Sequence, residues 1–139
     1  MAITKGQLEQ LAGLRLHEAK ALLDAGQFSG AYYLAGYAIE CALKACIAAG
    51  IESRTIPDWR FIQKIYTHNP TTLVSLAGLE PERVSKALED PAFAQHWAQV
   101  AGWSEDARYR LVDQELAKSM IDALDDQEHG VYEWIRTHW

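Results

Sequence analysis

The chain has 139 residues, 49% of them hydrophobic and 23% charged, with 9 glycines and 4 prolines. That is enough for one domain with one core, here residues 1–139, and the balance excludes disordered, collagen-like and low-complexity chains. Thirteen Lys and Arg against 19 Asp and Glu leave a net charge of −6, which excludes broad electrostatic capture of phosphate backbones and leaves room only for a local basic cleft.

From Thr4 to about Ala25, Leu8, Leu11, Leu16, Ala19, Leu22 and Leu23 recur with the 3.6-residue period of an amphipathic helix. Gly26 is its stop, and Ser29 is a candidate N-cap for a second helix running through Ala49 to Gly50. The two form a hairpin. After a looser link with Arg54, Pro57 and Trp59, a short helix is predicted over Phe61 to Tyr66. Asn69 and Pro70 then open another as cap and first-turn residue, closed at Gly78.

Pro81 and Asp90-Pro91 repeat that start signal, predicting two short helices or one kinked helix to about Trp103. Ser104 to Arg110 reads as a polar connector. A third long helix carries Val112, Leu116, Met120, Leu124, Val131 and Trp134, with Gly130 as a weak point. Residues 111–139 hold seven acidic side chains against Lys118 and Arg136, so this helix presents an acidic outer face. No alternating strand pattern competes. The predicted fold is an all-α, up-and-down helical bundle with three long helices and several short ones between the second and the last.

Cys41 and Cys46 are the only cysteines. Five residues apart on one helix, they point roughly 140° away from each other and cannot bridge there, which fits a reducing compartment. The N-terminal MAITKGQLEQ has no apolar signal core, so a cytoplasmic location is expected. Ala31 to Ala49 has the length of a membrane span, but Glu40 and Lys44 near its middle read as a buried soluble helix. The five histidines lack paired ligand spacing, the cysteines are not spaced CxxC, and there is neither a GxSxG elbow nor a glycine-rich phosphate loop. Neither a metal site nor a cofactor is expected.

Two polar constellations stand out. Tyr33, Tyr37, Glu40 and Lys44 fall within about 60° of one another on the second helix, a single polar stripe on an otherwise apolar element. Arg15 lies inside the apolar arc of the first helix, and a buried guanidinium needs an anion. The expected ion network therefore joins Arg15 to Glu40 across the hairpin, with Glu40 shared by Lys44 one turn on. The second constellation is Trp103, Arg108, Tyr109 and Arg110, with His68 in the earlier turn. Arginines beside aromatics suit a phosphate or a stacked base, and equally suit ion pairing with Glu105 and Asp106.

The segments FSGAYYLAGYAIECALKACIA, THNPTTLVSLAGL and WAQVAGWSEDARYR, followed by an acidic helix ending VYEWIRTHW, resemble a HEPN domain of the small prokaryotic stand-alone type. HEPN stands for higher eukaryote and prokaryote nucleotide-binding. The resemblance covers about Leu14 to Trp139 and implies a dimerising helical bundle. Many HEPN proteins are metal-independent ribonuclease toxins that use an arginine followed after four to six residues by a histidine. Here Asp113, Gln114 and Glu115 stand at those positions after Arg108, and Glu115, Leu116 and Ala117 after Arg110. Other members lack the pair and accompany a minimal nucleotidyltransferase or bind a nucleotide. The resemblance thus implies a non-catalytic homodimeric module of a toxin–antitoxin-type system. Its cleft, lined by Tyr33, Tyr37, Lys44, His68, Arg108, Tyr109 and Arg110, would hold a nucleotide, an RNA-like anion or a nucleotidyltransferase partner. The alternatives are a ribonuclease toxin with a displaced site, such as His68 with Arg108 or Arg110, and a plain dimerising interaction protein.

Overall fold

A computed structural model describes residues 2–51 and 53–139. Thr4 and Gln7 open α1 (Lys5–Asp24) with a reciprocal capping box, each side chain accepting from the other's backbone N–H at 3.1 and 2.9 Å. Gly26 stops it with φ +77°, the left-handed turn that lets the Gln27 N–H return to the Leu22 carbonyl at 2.8 Å. The chain then reverses into α2 (Phe28–Ala49), and the two helices form the most extensive contact in the molecule.

α2 is the axis around which the rest is built. Twelve of its 22 residues are buried, which is why it is so rich in alanine: small side chains let neighbours approach from several directions. α3 (Trp59–Ile65) starts at the Asp58 carboxylate and buries no residue fully, whereas α4 (Pro70–Leu76), capped by Asn69, inserts Pro70, Leu73 and Val74 against α2. α5 (Glu80–Glu89) and α6 (Pro91–Ala101) are separate helices. Asp90 ends one and caps the other by accepting the Phe93 N–H at 3.1 Å.

The polar connector coils into a 3-10 turn, Glu105–Tyr109, packed on α2. Ser29 does not cap α2, whose N-cap is Gln27. Its hydroxyl instead accepts the Val112 N–H at 2.9 Å, pinning the chain beyond that turn to the start of α2.

The expected third long helix is two helices, α7 (Gln114–Asp125) and α8 (Val131–Arg136). The Asp126 carboxylate breaks it by accepting the N–H groups of Glu128 and His129, both at 3.0 Å, in place of the helical ladder. Gly130 completes the break, because a Cβ there would lie 2.4 Å from the Asp126 carbonyl. The fold is an all-α bundle with two long helices, α1 and α2, and no strand among the described residues. No described helix is long and apolar enough to cross a membrane.

Candidate functional site

The stripe on α2 is real, and most of what answers it comes from far along the chain. Tyr33 and Tyr37 stack edge to face with ring centres 5.0 Å apart and their hydroxyls 3.3 Å apart. Between them Gly36 leaves a flat place on the helix, and the Trp103 indole fills it. A Cβ on residue 36 would overlap that ring at 1.9 Å. Trp103 is 2% exposed, edge-on to Tyr37 at 5.4 Å and 6.4 Å from Tyr33; its indole N–H is enclosed with no hydrogen-bond acceptor.

One turn further, Glu40 is the buried charged residue of the core, 7% exposed. Its partners are His68, whose Nδ1 is hydrogen-bonded to Oε1, and Lys44, whose Nζ stands 3.7 Å from Oε2. The His68 ring also lies 6.0 Å from Tyr37. Sequence placed His68 in an early turn but not on Glu40. The expected Arg15–Glu40 pair is replaced: Arg15 pairs with Glu18 one turn along α1, its side chain 32% exposed. A long guanidinium at the edge of an apolar arc reaches solvent by running along the surface, so the hairpin core holds no arginine for Glu40 to neutralise.

Arg108 belongs to the stripe. Its guanidinium lies 5.0 Å over the Tyr109 ring, and its pKa is raised chiefly by the bond to Tyr109 and further by Tyr33. The Tyr37 phenol is pushed far up, first by burial and then by the Tyr33 hydroxyl, with Arg108 opposing. No described carboxylate lies within ion-pair distance of Arg108, so Glu105 and Asp106 do not take it.

Three other expected residues sit apart. Arg110 is turned to Tyr32, 5.6 Å over its ring, on a different face of α2 from the stripe. Tyr109 is 79% exposed and touches the cluster through Arg108. Lys44, at the far end, lines an apolar cleft with Ile47, Ile62 and Ile65. The structure therefore gathers Tyr33, Tyr37, Glu40, His68, Trp103 and Arg108, keeps Lys44 as the second partner of Glu40 at the far end of the stripe, and leaves Arg110 outside that group. Sequence grouped Trp103 with Arg108 but not with the tyrosines; the signal for that contact was Gly36, a glycine in mid-helix between the two.

An exposed, carboxylate-free guanidinium beside stacked tyrosines can hold an anion attached to a ring, the charge on Arg108 and the ring on the tyrosine faces. With Nδ1 committed to Glu40, His68 keeps Nε2 free of partners among the described residues and able to hydrogen-bond a guest. No group of three or more His, Cys, Asp or Glu among the described residues is arranged to hold a metal ion. Comparison with family models, with curated proteins and with solved structures finds no match.

Proposed function

We propose that this chain is a HEPN-like, homodimeric and non-catalytic helical module that binds a nucleotide or nucleic-acid-like anion, or a minimal nucleotidyltransferase partner, in a toxin–antitoxin-type system. The observation that carries the reading is the packing of Trp103, and of the 3-10 turn that holds Arg108, on Tyr33, Tyr37 and α2, more than sixty residues away in sequence. The Ser29 to Val112 bond and the Trp103–Gly36 contact hold that approach from both sides. The absence of a histidine four to six residues beyond either arginine supports the non-catalytic half of the reading.

Calorimetric titration with ATP and other nucleotides tests it. Binding should weaken roughly tenfold or more in Arg108→Ala, because a charge-assisted hydrogen bond contributes about 1.5–3 kcal/mol, and Arg110→Ala should bind like the parent. Absence of heat at millimolar nucleotide would remove the small-molecule reading, leaving the protein partner to be sought by pull-down.

A second reading, a metal-independent ribonuclease with a displaced site, is favoured by one observation: His68 and Arg108 both approach Tyr37. His68 would exchange the proton and Arg108 would stabilise the phosphate. Cleavage of total RNA in EDTA, lost in both His68→Ala and Arg108→Ala, would establish it over the non-catalytic reading.

A further inference from the structure

The cleft on which Lys44 opens is separate from the tyrosine cluster. It lies between the N-terminal end of α1, the C-terminal end of α2 and α3, and measures 340 Å³. Its walls are Ile3, Leu8, Ala48, Ile62 and Ile65 among others, and among the described residues Lys44 is the one charged lining residue and Tyr66 the one other side chain with a polar group. That volume falls at the small end of ligand pockets, roughly 300–1,000 Å³, and the pattern matches theirs: apolar walls with a few polar groups that orient the guest.

Lys44 is unusual in how little holds it. Its side chain is 18% exposed, yet the ammonium, with three donors, makes no hydrogen bond to any described residue. Glu40 stands at 3.7 Å, beyond hydrogen-bond length, and its other oxygen is engaged by His68. The ammonium is not among the enclosed atoms that lack a partner, so the stem of Lys44 is covered while its charged end stands at the open side of the cleft, where its donors can meet an anion. α3, which forms the outer wall, buries no residue fully, and it carries Arg60 and Lys64 without a carboxylate partner among the described residues.

The geometry points to a binding site for a small amphipathic anion, a carboxylate on a single apolar chain, with the chain along the isoleucines and the carboxylate accepting from Lys44 Nζ and the Tyr66 hydroxyl. A nucleotide does not fit this chemistry, since the walls offer nothing to a base edge or ribose. The site goes beyond the function proposed above and shares no ligand-contacting residue with the Arg108 cluster.

Calorimetric titration of the intact protein with hexanoate, octanoate and decanoate, below their micellar concentrations, tests it. One molecule should bind per chain, about fourfold tighter for each added methylene until the cleft is full. Decanol should bind at least tenfold more weakly than decanoate, and Lys44→Met should lose the same factor. Ala48→Phe, which fills the cleft from a half-buried position on α2, should abolish binding while circular dichroism shows both variants folded. Nucleotide titration of Ala48→Phe should be unaltered, so failure here is distinguishable from failure at Arg108. The proposal is overturned if millimolar decanoate gives no heat, or if affinity ignores chain length or Lys44. It is equally overturned if light scattering shows a dimer that Ala48→Phe dissolves, which would make a second copy the occupant.

Discussion

Replacing Gly36 by alanine should destabilise the protein although helix propensity favours the change. Alanine in a helix interior gains about 1 kcal/mol over glycine. Against this, the new methyl would stand 1.9 Å from Trp103 Cε2 and 2.2 Å from Cδ2 and Nε1. Restoring ordinary carbon–carbon separation of about 3.5 Å requires the indole to withdraw by roughly 1.5 Å. It has nowhere to go, being 2% exposed and bounded by Tyr33 and Tyr37. Overpacking a dense core costs about 1–3 kcal/mol, and a clash with the body of a rigid ring belongs at the upper end of that range. The net loss should be about 1–2 kcal/mol, a fall in Tm of roughly 3–8 °C for a chain of this size. Gly6→Ala in α1, where a Cβ meets nothing within 4 Å, is the control and should leave Tm equal or slightly higher. Thermal unfolding followed by circular dichroism reads both variants. A Gly36→Ala protein melting at or above the parent temperature would refute the claim that Trp103 is seated on a bare backbone. Because the same ring buttresses Tyr33 and Tyr37, nucleotide affinity should fall with it.

The link between the α5–α6 and α7–α8 junctions should depend on pH. Asp90 is held down at about 2, first by its hydrogen bond with His129 and then by the Phe93 N–H, so its contribution is present above its ordinary 3.8 and lost as pH falls toward 2. His129 is raised above its ordinary 6.5, chiefly by the same hydrogen bond, so its contribution is full below 6.5 and fades as pH rises through the raised value. Both act together between roughly pH 4 and 6.5; His129→Gln should lower Tm most in that window and least at pH 9, and a pH-independent difference would contradict the assignment. Burial pushes the Cys46 thiol up to about 11 and raises Cys41 as well, so at pH 8 both should react with a disulfide reagent far more slowly in the native protein than in denaturant; equal rates would show the α2 core to be open. Ser29→Ala should cost about 1 kcal/mol in chemical denaturation, because the Val112 N–H loses its acceptor; no change in midpoint would mean that this bond does not hold the 3-10 turn to α2.

Signals confined to a few residues of chain were readable in sequence. Asn69 with Pro70 and Asp90 with Pro91 start helices where their spacing says they should, because cap and helix lie within three or four residues. Periodicity found α1 and α2 for the same reason. The errors arose where a local signal had a distant partner. Ser29 has the chemistry of a cap, but its hydroxyl serves Val112, 83 residues away. Val112 to Trp134 keeps a helical period across the Asp126–Gly130 break because α7 and α8 both turn their apolar faces to α2, so hydrophobic pattern alone cannot register the interruption.

The stripe on α2 shows the same limit in electrostatic form. A wheel projection establishes that Glu40 is buried and needs a partner, yet it fixes only angles, and an angle says nothing about which of several cations can reach. Arg15 has the right angle, but a long flexible side chain is free to turn outward and satisfy itself on Glu18. His68 has a short, stiff side chain, and its position is set by backbone. Pro70 and Leu73 of α4 are fully buried against the core, which carries the turn preceding Pro70 onto the face of α2 where Tyr37 and Glu40 stand. Apolar packing of α4 therefore decides the charge partner of α2. The outcome also divides the stripe chemically. With one Glu40 oxygen held by His68, the ring beside Tyr37 is fixed at the Arg108 end, while Lys44 at the other end stands 3.7 Å from the second oxygen and faces an apolar cleft. One buried carboxylate thus separates two sites of different character along a single helix face.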